Sequence, residues 1–159
     1  MARSYLYLQA NTIPSWKDFS FANLDVLLLD LADYLKMLED KDVYNRFEEG
    51  QTAVYLVIKD YDFNQTFHAL KDVDIRLIKG FAVRHATKQA MTYLSLKLRE
   101  IEQQHRLPFG VLSILAFIED AKGVLEATKI GNYQRVIGLC YQDDSENDMF
   151  LKDVLLSEF

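Results

Sequence analysis

The chain has 159 residues, half of them hydrophobic and 13% aromatic, with a net charge of −6. That excludes a disordered chain and favours one domain, able to bury about 70% of the surface its unfolded form exposes. A single cysteine, Cys140, excludes an internal disulfide and fits a reducing compartment. No run approaches the roughly 18 apolar residues of a membrane span, and no secretory leader is visible, so a soluble cytoplasmic protein is expected.

In chain order, residues 3–9 are rich in aromatics and read as a short strand. Pro14 marks a turn and biases Ile13 away from helix. Residues 22–39 read as the clearest helix: Leu24, Leu27, Leu28, Leu31, Leu35 and Leu38 repeat at spacings of three and four. Asn23 would cap it, Asp25 would sit in its first turn, and Asp30, Asp33 and Asp40 would mark its wet stripe. Ala53 to Ile58 is a short β-branched run suited to a buried strand. Asp60-Tyr61-Asp62 can then cap a helix through about Leu70.

A second long helix is expected from Phe81 to His105, with Val83, Ala86, Ala90, Leu94, Leu98 and Ile101 on one face. Leu107-Pro108-Phe109-Gly110 ends it. Val111, Ile114, Leu115, Ile118 and Leu125 suggest a third helix. Residues 136–141 suit strand or helix, and Phe150, Leu151, Val154 and Leu155 a final amphipathic helix. The expected architecture is a mainly helical α+β domain over 1–159, with two or three short strands; an all-α bundle is the alternative. Residues 142–148 would be an exposed acidic linker to the C-terminal helix.

Charge is unevenly placed. Residues 142–159 hold six acids against Lys152, whereas residues 71–106 hold eight bases and four acids. An acidic chain repels phosphate backbones, so nucleic acid is disfavoured and a basic protein partner favoured. Candidate partner-binding residues are Asp143, Asp144, Glu146 and Asp148, then Asp30, Asp33 and Asp40.

Signals for catalysis are sparse. His68, His85 and His105 lie in three separate segments, with no i, i+4 pair, so neither a metal nor another cofactor is expected. Cys140 sits in an apolar run and reads as a small core residue. There is no Gly-x-Ser-x-Gly elbow and no phosphate loop. The carboxylate pairs Asp60/Asp62 and Glu48/Glu49 read as solvated charge. Tyr5 and Tyr7, followed by Trp16, Phe19 and Phe21, would line a core or a protein interface.

Two resemblances add to this. Arg99 and His105, separated by five residues near a helix end, resemble the Arg/His signature of HEPN ribonucleases, with Glu100 where a small polar residue is usual. That would imply a helical RNA-cleaving dimer. The opening Ala2-Arg3-Ser4-Tyr5-Leu6-Tyr7 resembles an uncharacterised family of small bacterial proteins that begin Asn-Arg-Ser-Tyr-Leu-Tyr. Val57-Ile58-Lys59-Asp60-Tyr61-Asp62-Phe63 looks like a second segment of that family. This resemblance implies no catalytic function and the company of immunity proteins paired with toxins. The resulting expectation is a non-enzymatic, immunity-like inhibitor of a basic toxin domain, perhaps a nuclease. The alternatives are the HEPN-like ribonuclease or a regulatory module of a larger assembly.

Overall fold

The structure is a computed structural model that describes residues 5–8, 25–50, 52–59, 63–141 and 153–156, the first and last of these segments as backbone. Seven strands form one sheet in the order of the chain. They are β1 (Tyr5–Leu8), β2 (Val26–Leu29), β3 (Ala53–Ile58), β4 (Ile78–Val83), β5 (Ser113–Ile118), β6 (Val136–Tyr141) and β7 (Asp153–Leu156). β1 to β6 are parallel throughout, and β7 runs antiparallel to β6. Among the described residues five helices lie in the connections: α1 (Leu31–Glu39) and α2 (Lys41–Glu49) between β2 and β3, then α3 (Phe63–Leu70), α4 (Lys88–Gln104) and α5 (Ala121–Gly131) between the later strands.

All five helices pack on one face of the sheet. Tyr34, Met37, Val43, Phe47, Leu70, Met91, Leu94, Leu98 and Ile130 meet Leu27, Leu29, Val54, Leu56, Ile58, Phe81, Val83 and Ile114 in one core. Among the described residues the other face carries no helix, yet Val26, Leu28, Tyr55, Val57, Ala82, Leu115, Phe117 and Cys140 are buried there and pack on one another. Consecutive parallel strands, helices on one side and a self-packed inner face define a singly wound sheet, the organisation of a β/α barrel.

The expected mainly helical fold is therefore corrected to α/β. Its cause is local. Strands buried on both faces lose the polar alternation that marks a half-exposed strand and become continuous apolar runs. The Leu-rich stretch read as one helix is β2 and α1 joined through Asp30 alone. The helix expected over 81–105 is the end of β4 followed by α4, and the third helix is β5 followed by α5. The strand reading of 53–58 matches β3, and α3 ends at Leu70 as the Asp60–Asp62 signal suggested. Residues 153–156 form a strand where a helix was expected, and residues 142–148 lie outside the described residues. Among the described residues, no helix is long and apolar enough to cross a membrane.

Two contacts fix the sheet. Gly80 in β4 faces the inner side, where an added Cβ would stand 2.0 Å from the Ser113 carbonyl oxygen and 2.7 Å from the Tyr55 ring. Tyr55 crosses above it, its hydroxyl 2.8 Å from Ser113 Oγ. At the N-terminal edge of the sheet, Glu102 of α4 is buried and accepts from the backbone N–H groups of Gly110 and Leu112, at 3.0 and 2.9 Å. Arg135 donates to the same carboxylate through both terminal nitrogens, at 2.9 and 2.8 Å. Burial works to raise the Glu102 pKa, but Arg135 and the two N–H donors outweigh it and hold the carboxyl below its ordinary value.

Breaking this pair strands a buried charge. Arg135→Ala is expected to destabilise the protein by about 3–5 kcal/mol, whereas Lys97→Ala, which removes an exposed pair with Glu100, costs less than about 0.5 kcal/mol. Urea unfolding at neutral pH reads both, and equal effects would contradict the account. Gly80→Ala is expected to cost about 2 kcal/mol or more in the same measurement, because backbone rather than a flexible side chain meets the new methyl.

Candidate functional site

Parallel strands direct their C-terminal ends to one edge, and in such sheets ligands bind outside those ends. Here that edge gathers charge. Asp30 follows β2, Lys59 follows β3, Arg84 and His85 follow β4, and Glu119 and Asp120 follow β5. Each residue sits at the first or second position where the chain leaves the apolar sheet, which is why its charge is tolerated.

Glu119 organises the cluster. Its carboxylate is fully buried. Oε1 accepts from Arg84 Nε at 2.7 Å and from Arg84 Nη2, and Oε2 accepts from the His85 backbone N–H at 2.7 Å. Arg84 keeps about a fifth of its side chain exposed, so its plane is fixed from below while one side meets the rim. His85 has a φ of 50°, in the left-handed region that costs a non-glycine residue roughly 1 kcal/mol. The bond from its N–H to Glu119 holds it there. Its ring lies 3.7 Å from Glu119 Oε2 through Nε2 and 3.5 Å from Asp120 Oδ2 through Nδ1. Backbone strain of this kind concentrates at functional sites. Asp120 also caps α5, accepting from Gly123 N–H at 2.8 Å. Cys140 lies beneath, its thiol pushed up to about 12 by burial and by the Glu119 charge, so it is a core residue and no nucleophile.

A cleft of about 480 Å³ opens beside this cluster, between the starts of α3, α4 and α5. Phe63, Asn64, Thr87, Gln89, Tyr93 and Lys122 line it. Thr87 is two residues from His85 and Lys122 two from Asp120, so the cleft adjoins the charged edge.

The acids singled out in the sequence have different fates. Asp143, Asp144, Glu146 and Asp148 lie outside the described residues. Asp40 caps α2 through Oδ1, accepting from Asp42 and Val43 N–H at 3.1 and 3.3 Å. Asp30 is half-buried at the junction of β2 and α1. Asp33 departs furthest from expectation: on the supposed wet stripe of a helix, it is fully buried and neither carboxylate oxygen has a hydrogen-bond partner. Burial first, then the neighbouring Asp30 charge, raises its pKa to about 6, against the lowering effect of Lys36. The HEPN-type pair is not a site. Arg99 stacks over Phe109 at 5.3 Å, and His105 ends α4 with Nε2 buried and unpartnered, at the sheet edge opposite the charged rim. Arg84 and Glu119 were not singled out as a pair. Their signal was a charge directly after each of two apolar runs, and it becomes legible once those runs are seen as parallel strands.

The class so defined is a singly wound α/β sheet with a charged C-terminal rim. No protein-family model matches the chain. Over 160 aligned residues it is 26% identical to the citrate lyase subunit beta of Leuconostoc mesenteroides subsp. cremoris, covering 94% of this chain and 53% of that protein. Its fold is similar to malate synthase of Haloferax volcanii. The ternary complex with pyruvate and acetyl-CoA superimposes with a TM-score of 0.63 at 12% identity, over 87% of this chain and 46% of that one. The lead(II) complex gives 0.64 at 13%, over 88% and 48%. The chain thus spans about half the length of the relatives it matches. Among the described residues no three His, Cys, Asp or Glu side chains converge as a metal site.

These findings correct the functional expectation. The relatives are an enzyme subunit and an enzyme, not immunity proteins, so the non-enzymatic toxin inhibitor, its toxin partner and the short immunity-like resemblance are all set aside. The helical ribonuclease falls with the helical fold.

Asp33 makes stability depend on pH with a definite sign. Its folded pKa lies above the unfolded value, so the folded state favours the protonated acid. The stabilisation is complete below about pH 4 and is lost as pH rises through 6. Asp33→Asn removes this loss: above pH 7 the variant is expected to be more stable than the wild type by about 3 kcal/mol, and below pH 4 to match it. Thermal unfolding across that range checks the sign. Glu119→Gln is expected to cost about 2 kcal/mol at neutral pH, since one amide oxygen cannot serve Arg84 and the His85 N–H as the carboxylate does.

Proposed function

We propose that this chain carries the carboxylate-binding part of a carbon–carbon lyase or synthase acting on hydroxy acids or their coenzyme A thioesters, in the cytoplasm. The observation that carries the reading is the Arg84–Glu119 pair, set at the C-terminal strand ends of a fold shared with malate synthase, in a chain related along 94% of its length to a citrate lyase subunit. Citrate and malate are hydroxy acids with several carboxylates. The chemistry common to the two names makes or breaks a bond between a hydroxyl-bearing carbon and a carbon beside a carbonyl.

A carboxylated substrate needs a planar, permanently charged donor, and a guanidinium supplies it. Glu119 fixes the plane of Arg84, so the donor is pre-positioned and little is lost in ordering it on binding. Lys59, exposed after the neighbouring strand, adds a second positive charge. The cleft beside Thr87 would receive the distal part of a thioester: Phe63 and Tyr93 offer aromatic surface, and Lys122 offers charge to a phosphate.

The test supplies the purified protein with malyl-, citramalyl- and citryl-coenzyme A and measures release of a 2-oxo acid. It also supplies acetyl-coenzyme A with glyoxylate, pyruvate or oxaloacetate and measures free thiol. One of these pairs is expected to turn over, with Arg84→Ala lowering kcat/KM by about 100-fold or more. Turnover of none, together with no detectable binding of any of the free acids by calorimetry, would reject the reading.

A further inference from the structure

From the isolation of its carboxylate we infer that Asp33 is the proton-transfer residue of this site, exchanging a proton with the hydroxyl oxygen at the carbon where the bond is made or broken; the inference rests on the function proposed above.

A buried polar group without a partner is rare, because leaving it so loses the hydrogen bonds it makes in water. A carboxylate is the costliest such case, and Asp33 leaves both oxygens unsatisfied with no exposed surface at all. Nothing in the packing of α1 requires an acid there. Its neighbours on the same buried side, Tyr34 and Met37, join the core, and Tyr34 satisfies its own hydroxyl on the Asp74 carbonyl at 2.5 Å. An apolar residue or Asn would serve the fold better at this position, so the acid calls for another explanation.

Its placement supplies one. Asp33 lies in the first turn of α1, four residues beyond the end of β2. Side chains on a helix tilt toward its N-terminus, which for α1 is the C-terminal edge of the sheet. The carboxylate is thus directed toward the edge that carries Lys59, Arg84 and Glu119. β2 and β4 are separated only by β3, so their ends stand two strand spacings apart, roughly 10 Å. Among the described residues, the charged groups acting on Asp33 are Asp30, at the end of β2, and Lys36, one turn on in α1. Burial and Asp30 keep its acid and base forms both accessible near neutral pH, as general acid–base catalysis requires.

In the cleavage direction the Asp33 carboxylate takes the hydroxyl proton. The C–O bond becomes a carbonyl, the adjacent carbon–carbon bond breaks, and its electron pair moves onto the carbon beside the second carbonyl as an enolate; this takes a proton from water, and the hydroxide left behind takes the proton from the Asp33 acid, restoring the carboxylate. In the synthetic direction the enolate carbon adds to the 2-oxo acid carbonyl, and the Asp33 acid protonates the oxygen as the new bond forms. No oxidant or reductant is needed.

The experiment compares wild type with Asp33→Asn on the thioester that the wild type turns over, from pH 5 to 8. A 100-fold or greater fall in kcat is expected, with KM within threefold and the acidic limb of the pH profile near 6 absent in the variant. The carboxyl carbon-13 signal of Asp33, assigned by its loss in the variant, should titrate near 6 in the free protein and move when pyruvate or malate is added. Asp33→Asn should unfold at the wild-type temperature or higher, so a loss of activity cannot be a loss of fold. If the wild type turns over and the variant keeps its kcat and pH limb, Asp33 is not the proton-transfer residue although the proposed function stands. A wild type without turnover removes this assignment, and if it also binds none of the free acids the proposed function falls with it.

Discussion

A parallel sheet must dry both of its faces, and here the inner one is lined by apolar side chains packed on one another. Leu28, Leu115 and Phe117 reach full or nearly full burial with no helix over them among the described residues. The rest of the molecule follows from that constraint. Both faces of β2 to β5 are largely apolar, with Lys79 and Ser113 near the starts of β4 and β5 as exceptions, so charged side chains collect where the strands end. The charged edge is therefore a consequence of the sheet, and the hydrogen bonds around Glu119 set the geometry of what collects there.

The two edges of the sheet use buried charge differently. At the N-terminal edge Glu102 is saturated: two backbone donors and a bidentate Arg135 leave it nothing to offer a ligand. It ties α4, the loop before β5 and the start of β6 into one unit. At the C-terminal edge, Glu119 is held as firmly, but the groups it holds, Arg84 and His85, are partly exposed. A saturated carboxylate with hidden partners is a brace. The same carboxylate with partners facing outward is a mount, and Asp33, with no partner at all, stands apart from both.

This contrast shows why fold and site were unequally legible. Amphipathic period identifies a helix only when one side is wet, and the run from Leu24 to Leu38 joins a strand dry on both faces to a helix across a single residue. The leucine spacing of three and four arises partly by accident of that junction. Asp33 was read as solvent-facing because most helical acids are. Asp40 proved to be a cap, an ordinary role that the turn chemistry between two helices could have suggested. Arg84 and Glu119 are 35 residues apart, and nothing in their local sequence declares that β4 and β5 are neighbours.

The sequence by itself determined the size and dryness of the core, the strand at residues 53–58, the helix ending at Leu70 and the core role of Cys140, because each depends on local composition and on burial of apolar side chains. Only the tertiary structure decided that the apolar runs pair in chain order as parallel strands, that helices cover one face, and that distant charges meet at one edge. Strand pairing and the burial of a single acid such as Asp33 are set by non-local contacts, which periodicity within one segment cannot encode.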